Sequence, residues 1–189
     1  MQIDPENIIR KASIGDKEAF GKLVTQYQQY AFNLAFRIIC NEDDARDIVQ
    51  DSFVKIWKNM KLYNPNIKFT TWMYKIVTNT AIDHLRSNKK MEQVSLDNVH
   101  ERLEQTNILT PETILNNKET GQLIKSFANK LSEKQKNVFV MRDLHGLDSS
   151  EVEDILNLPE TSVKSNLYHA RKAIGKKLHE IISFEKIDR

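Results

Sequence analysis

Apolar residues recur along this chain at helical intervals. Phe20, Leu23, Val24, Tyr27, Ala31, Leu34, Ala35 and Ile38 follow i, i+3, i+4, i+7 spacing, which predicts a long amphipathic helix. Asp16 is its expected N-cap and Asn41 its expected stop. A second stripe runs through Ala45, Ile48, Val49, Phe53, Ile56, Trp57 and Met60, with Phe53 and Trp57 expected in the core. The stretch Leu62-Tyr63-Asn64-Pro65-Asn66 breaks the pattern, as Asn-Pro pairs do. Trp72, Ile76, Val77, Ala81 and Leu85 then mark a third helix, with Trp72 expected in the interior. A short leading helix is expected near Pro5–Ile14, packed outside these three.

Periodicity lapses from Ser87 to Thr110, where Asn, Gln, Glu and Ser dominate. Residues 89–110 therefore read as a flexible linker between a domain at 1–88 and a second at 111–189. Thr110-Pro111 restarts helix, with Thr as N-cap and Pro where its missing N–H costs nothing. Ser132 and Gln135 form a capping box that opens a helix to about Leu144. Gly146 suits its end, and Asp148 with Glu151 caps a short helix carrying Val152, Ile155 and Leu156. Asn157-Leu158-Pro159 is a tight turn, and a last helix carries Val163, Leu167, Ala170, Ile174 and Leu178. A short helix, a turn and a basic helix are helix-turn-helix grammar, which any small helical bundle can also produce.

Composition supports the helical reading. Only 5 glycines and 4 prolines occur in 189 residues, too few for the turns and bulges of a sheet sandwich. The fold class expected is all-α, two small helical domains joined by a flexible linker. The lone Cys40 forms no intramolecular disulfide. No apolar run approaches the roughly 20 residues that span a bilayer, and the N-terminal acids differ from a signal peptide. A cytoplasmic protein without membrane insertion is expected.

Net charge is only +2, but its distribution says more. Glu42, Asp43, Asp44, Asp47 and Asp51 face one base, Arg46, across Glu42–Asp51. Ser52–Lys90 then holds eight bases against Asp83 alone. Arg142–Glu160 has six acids to one base, and Thr161–His179 has five bases and no acid. Such blocks are either solvated helix faces or two phosphate-binding surfaces, each preceded by an acidic surface for something else. The five histidines show no metal-ligand spacing and no glycine-rich phosphate loop occurs. No catalytic site, metal or cofactor is expected.

Three ordered blocks carry a resemblance to a known family. Asp43-Asp44-Ala45-Arg46-Asp47-Ile48-Val49-Gln50-Asp51-Ser52-Phe53-Val54-Lys55-Ile56-Trp57 is the first, and Phe69-Thr70-Thr71-Trp72 through Ile76, Asn79, Asp83 and Arg86 is the second. Leu131–Arg171, with its helix-turn-helix, is the third. In this order they resemble bacterial RNA polymerase sigma factors of the extracytoplasmic-function type, over about Phe20–Leu178.

The resemblance implies a non-enzymatic promoter-specificity subunit. It implies that Asp44, Asp47, Gln50 and Asp51 meet the clamp helices of the polymerase's largest subunit, that the second domain meets the flap of the second-largest, and that an anti-sigma factor holds the protein inactive. It further implies that the loop and third helix bind the non-template strand of the minus-ten element, with Asn64, Asn66, Lys68, Lys75, Asn79 and Arg86 as candidates. Asparagine is a poor helix former, which singles out Asn79, and Asp83 is placed to brace Arg86 at i, i+3. In the last helix, Ser162, Lys164, Ser165, Tyr168, His169, Arg171 and Lys172 face outward for the minus-thirty-five element. Lys164, Ser165, Tyr168 and His169 are the base-reading candidates, while Arg171 and Lys172 are expected on phosphate. The family often has Arg at the positions of Asn166 and His169, Gly-Thr at Thr161-Ser162, and Ala at Glu153. The promoter sequence is therefore not read from the resemblance. Two other readings fit the charge pattern: a stand-alone helix-turn-helix regulator, and a helical adaptor for an acidic protein or membrane.

Overall fold

The computed structural model describes residues 5–95 and 131–185, and every described element is helical. The chain forms two compact units, Met1–Arg102 and Leu103–Arg189. In the first, α1 (Pro5–Ser13), α2 (Lys17–Ile39), α3 (Glu42–Asn59) and α4 (Phe69–Ser95) follow in order, with a 3-10 turn at Met60–Leu62. α2, α3 and α4 pack pairwise, and α1 lies on α2 and the 3-10 turn. Leu23, Leu34 and Ile38 of α2 meet Ile48 and Ile56 of α3 and Met73 and Val77 of α4 in a dry core. Burying each such side chain is worth about 1.5–3 kcal/mol.

Local signals set the helix ends. Asp16 caps α2 by accepting from the Glu18 and Ala19 amides. Asn41 differs from its expected role as a stop. α2 ends one residue earlier, where Cys40 takes a left-handed φ of 59° and its amide bonds Phe36 O at 2.7 Å. Asn41 instead starts α3, its side-chain oxygen accepting from the Asp43 and Asp44 amides. The same chemistry that makes Asn a poor helix interior makes it a good N-cap.

α4 also departs from expectation. It continues through Ser87 to Ser95, so residues 89–95, expected to begin the linker, are helical, because no glycine or proline interrupts them and Lys, Met, Glu and Gln favour helix. The rest of the linker and the Thr110-Pro111 restart lie outside the described residues.

In the second unit, α5 (Glu133–Phe139) opens on the Ser132–Gln135 capping box. Its continuation Val140–Leu144 widens into a π turn, with the His145 amide reaching back to Val140 O at 3.0 Å. α6 (Ser149–Leu156) opens on the Asp148–Glu151 capping box and closes at Asn157, φ 51°. α7 (Glu160–Glu185) follows directly. Val138, Val140, Met141, Val152, Ile155, Val163 and Ala170 form this unit's core. The Arg142 guanidinium donates to the Leu147 carbonyl, fastening the π turn to the loop that leads into α6.

Candidate functional site

Four surfaces emerge from this framework. On α3, successive residues advance about 100° around the axis, so Asp44, Asp47 and Asp51 lie within about 60° of one another. Asp47, Gln50 and Asp51 are exposed. Asp44 is half-buried, with His84 Nε2 of α4 at 3.4 Å from its Oδ1. The Asn88 amide stands 3.0 Å from that same ring nitrogen. Asp44 thus serves the α3–α4 contact as well as the acidic stripe, a role the sequence pattern did not show. Lys55 makes a second link between these helices, donating to Thr80 Oγ1 at 3.0 Å.

Beside the stripe, α2 and α3 enclose a groove of about 870 Å³. Its walls are apolar, with Phe20, Val24 and Phe32 from α2 and Phe53, Val54 and Trp57 from α3. Phe20 packs on Trp57 with centroids 4.8 Å apart and on Phe53 at 6.4 Å. Phe53 is buried, as expected, but Trp57 is only half-buried and Val54 is 46% exposed. The expectation that Trp57 belongs to the core is corrected here. An apolar stripe by itself does not distinguish an enclosed interior from a groove wall. Gln50 lies on the rim, joining groove and acids.

The third surface is the α3–α4 loop with the outer face of α4. Lys75, Asn79 and Arg86 fall within about 40° on α4. Asn79 and Arg86 are exposed and Lys75 is half-buried. Asn64, Asn66 and Lys68 are exposed in the loop. Asn64 also builds the loop, since its side-chain oxygen accepts from the Asn66 amide at 3.0 Å and its carbonyl from the Ile67 amide at 3.1 Å. An Asx turn of this kind uses the side-chain oxygen locally, which leaves the amide NH2 of the exposed Asn64 as the group available to a ligand. Trp72 is half-buried rather than interior, against Tyr63 at 5.3 Å and Phe69 at 6.1 Å. Sequence reasoning gave Tyr63 no role. In the structure it joins the loop to the aromatic cluster.

The fourth surface is α7. Val163, Leu167, Ala170 and Ile174 occupy a buried arc of about 60°. Lys164, Ser165, Tyr168, His169 and Lys172 are exposed on the far side, with Tyr168 62% exposed and its ring 5.4 Å from that of His169. Lys176 extends this face and was missing from the sequence-based set, although it follows Lys172 at i+4. Lys164 pairs with Glu160 at 2.7 Å. That hydrogen bond and charge raise its pKa above the ordinary lysine value, so it stays cationic. Two candidates move off the open face. Ser162 is half-buried, its Oγ 3.3 Å from the Asn166 amide nitrogen. Arg171 forks onto Asp143 at 2.8 and 2.6 Å, which raises its pKa further, first through the hydrogen bond and then through the charge. It lies about 40° from the edge of the buried arc, close enough to reach across to the π turn.

Comparison with known proteins joins these surfaces. The family model for sigma-70 region 2 matches residues 23–91 and that for sigma-70 region 4 matches residues 122–174, together more than half of the chain. The chain is 28% identical over 180 residues to the ECF RNA polymerase sigma factor SigW of Bacillus subtilis, covering 92% of this chain and 96% of that protein. It is 26% identical over 187 residues to the ECF RNA polymerase sigma-E factor of Haemophilus influenzae, covering 96% and 98%. Its fold matches CnrH in complex with the cytosolic domain of CnrY, with a TM-score of 0.69, 22% identity, and 94% and 99% of the two chains covered. It also matches the sigma factor RpoE of Bartonella quintana in complex with the anti-sigma factor NepR, with a TM-score of 0.65, 20% identity, and 90% and 98% covered. Both region models match in the order the sequence blocks require, and the curated relatives align along nearly the whole chain. This chain belongs to the sigma-70 family as an extracytoplasmic-function sigma factor, a non-enzymatic subunit that gives RNA polymerase its promoter specificity.

Proposed function

We propose that the four surfaces divide promoter recognition between the two units. The α3 stripe of Asp47, Gln50 and Asp51, with Asp44 at its edge, binds the clamp helices of the polymerase's largest subunit. Opposite charge steers that encounter, and the apolar groove beside it gives the complex area to bury. The loop and α4 face, with Asn66, Lys68, Lys75, Asn79 and Arg86 and the outward amide of Asn64, hold the opened non-template strand of the minus-ten element. Opened strands need stacking platforms, polar groups for base edges and cations for the backbone; these residues supply the last two, and the exposed Leu62 and Ile67 beside them supply apolar surface. The α7 face lies in the major groove of the minus-thirty-five element. Lys164, Ser165, Tyr168 and His169 reach base edges there, and Lys172 with Lys176 reaches phosphate. The same unit seats on the flap of the second-largest subunit. The protein works in the cytoplasm, and no described helix is long and apolar enough to cross a membrane.

An anti-sigma factor is a further partner in this reading. The Bartonella RpoE is solved with the anti-sigma factor NepR and CnrH with the cytosolic domain of CnrY, and the α2–α3 groove here offers an apolar seat for a partner helix that would compete with polymerase.

The observation that carries the reading is the pairing of an exposed acidic stripe with a separate polar and basic stripe on the next helix of the same unit. A stand-alone DNA-binding regulator has no use for the first. Run-off transcription with core polymerase and a genomic promoter library tests it. Discrete start sites that need both the chain and core are expected, and DNA-bound complexes that form equally without core would count against it.

A further inference from the structure

We propose that Tyr63 is a positioning residue for strand capture, its hydroxyl closing the loop that presents Leu62, Asn66 and Ile67 to an unstacked base. This rests on the reading of the loop and α4 as the single-strand surface.

The geometry begins with the ring. Tyr63 packs at 5.3 Å on Trp72 and edge-on at 5.8 Å to Phe69, whose other side meets Tyr27 at 5.0 Å. Phenylalanine would fill that slot equally well. What phenylalanine lacks is the hydroxyl, which donates to the Ile67 carbonyl at 2.5 Å. One side chain therefore ties the first residue of the turn to its last. Burial raises the phenol above its ordinary pKa, so it remains a proton donor throughout the physiological range.

The rest of the turn has little to hold it. Asn64, Pro65 and Asn66 are exposed, and apart from the Tyr63 clasp the bonds across them are the two that Asn64 accepts. On its flanks stand two apolar side chains in water, Leu62 at 77% and Ile67 at 38% exposure. Exposed aliphatic groups on either side of an amide-bearing turn suit a flat, unstacked base better than a duplex backbone. A turn that had to close around the base would lose ordering entropy at that moment, and a preformed one does not. The clasp supplies this preorganisation without itself meeting the base.

The test uses holoenzyme assembled from the full chain and core polymerase. The probes are a single-stranded oligonucleotide carrying the non-template downstream element of a promoter found by run-off, the same strand with one base exchanged, and the upstream element as duplex. Tyr63→Phe keeps the ring packing and removes the hydroxyl. It should weaken the cognate strand about two- to tenfold, weaken the exchanged strand less and so shrink the ratio between them. Thermal midpoint, core affinity and duplex binding should match wild type. In the free protein the Ile67 amide should exchange with solvent faster. An unchanged ratio with unchanged exchange would overturn the proposal, as would equal loss on both strands, which marks general loosening. Asn79→Ala and Lys75→Ala separate this from the underlying reading. If they weaken the strand while Tyr63→Phe does not, only the clasp fails. If they too leave it unchanged, the single-strand assignment of α4 fails.

Discussion

Arg171 of α7 and Asp143 of the π turn form a two-point ion pair, Nε to Oδ2 at 2.8 Å and Nη2 to Oδ1 at 2.6 Å. The fork ties α7 to the π turn with directional geometry, because a planar guanidinium meets a carboxylate at two points only when the two groups are aligned. The π turn matters here. Widening the last turn of α5 re-aims the side chains that follow, and Arg142 and Asp143 are then both engaged, one on the Leu147 carbonyl and one on α7.

Arg171→Ala and Asp143→Ala should therefore behave alike. Each should lower the stability of the second unit modestly, and the double variant should cost less than their sum, with a coupling of at most about 1 kcal/mol for a pair this exposed. If Arg171 instead served phosphate, its loss would flatten the salt dependence of DNA binding while Asp143→Ala would strengthen binding. Urea unfolding and salt titrations of the three variants distinguish these patterns.

The acidic stripe gives a second prediction. Asp47→Arg with Asp51→Arg should abolish assembly with core polymerase, because both side chains are exposed and reversal turns steering attraction into repulsion. The thermal midpoint should stay close to wild type. Asp44→Arg should differ by also lowering the midpoint, since it removes the partner of His84. Co-purification with core, beside calorimetry, checks both halves.

Much of this architecture was legible in the sequence because its causes are local. A capping box is a four-residue device, and Ser132–Gln135 and Asp148–Glu151 form as written. What stayed hidden depends on partners distant in sequence. Arg171 points outward on a helical wheel, and nothing in the spacing announces Asp143 across the fold. Phe20 and Trp57 satisfy the apolar period, yet among the described residues no helix covers their outer edges and they become walls of a groove. Asn41 is ambiguous in the sequence because an asparagine after a helix serves a stop or a start equally well. The left-handed Cys40 decided it, and cysteine carries no signal for that conformation. Ser87–Ser95 lacks an apolar period, so its residues 89–95 read as linker, although their propensities still favour helix.

Helix ends and backbone freedom give a third prediction. Ser132→Ala removes the reciprocal cap of α5 and should cost about 1 kcal/mol. Gly21, inside α2 with open space where a Cβ would stand, should accept alanine and gain about 0.5–1 kcal/mol. Differential scanning calorimetry should show opposite displacements of about 4–8 °C per kcal/mol in units of this size.

The last prediction crosses the two DNA surfaces. Tyr168 and His169 stand exposed at the centre of the α7 face, so replacing either by alanine should cost about 1–3 kcal/mol on the cognate upstream element and relax preference there. Lys164→Ala should follow the same pattern, because its pairing with Glu160 leaves the ammonium charged and outward. Lys172→Ala and Lys176→Ala should instead weaken all sequences about equally and reduce the salt slope by about one each, since phosphate contacts act through counterion release. Asn66→Ala and Asn79→Ala should spare upstream duplex binding, yet slow strand opening and change preference at the downstream element. Because the two sets belong to different units, their effects should add in combined variants. Holoenzyme assayed on promoters altered in one element at a time gives each variant two readings, duplex affinity and permanganate-detected opening. An Asn79 variant that changes upstream preference, or a His169 variant that changes only opening, would show that the labour is not divided between the units in this way.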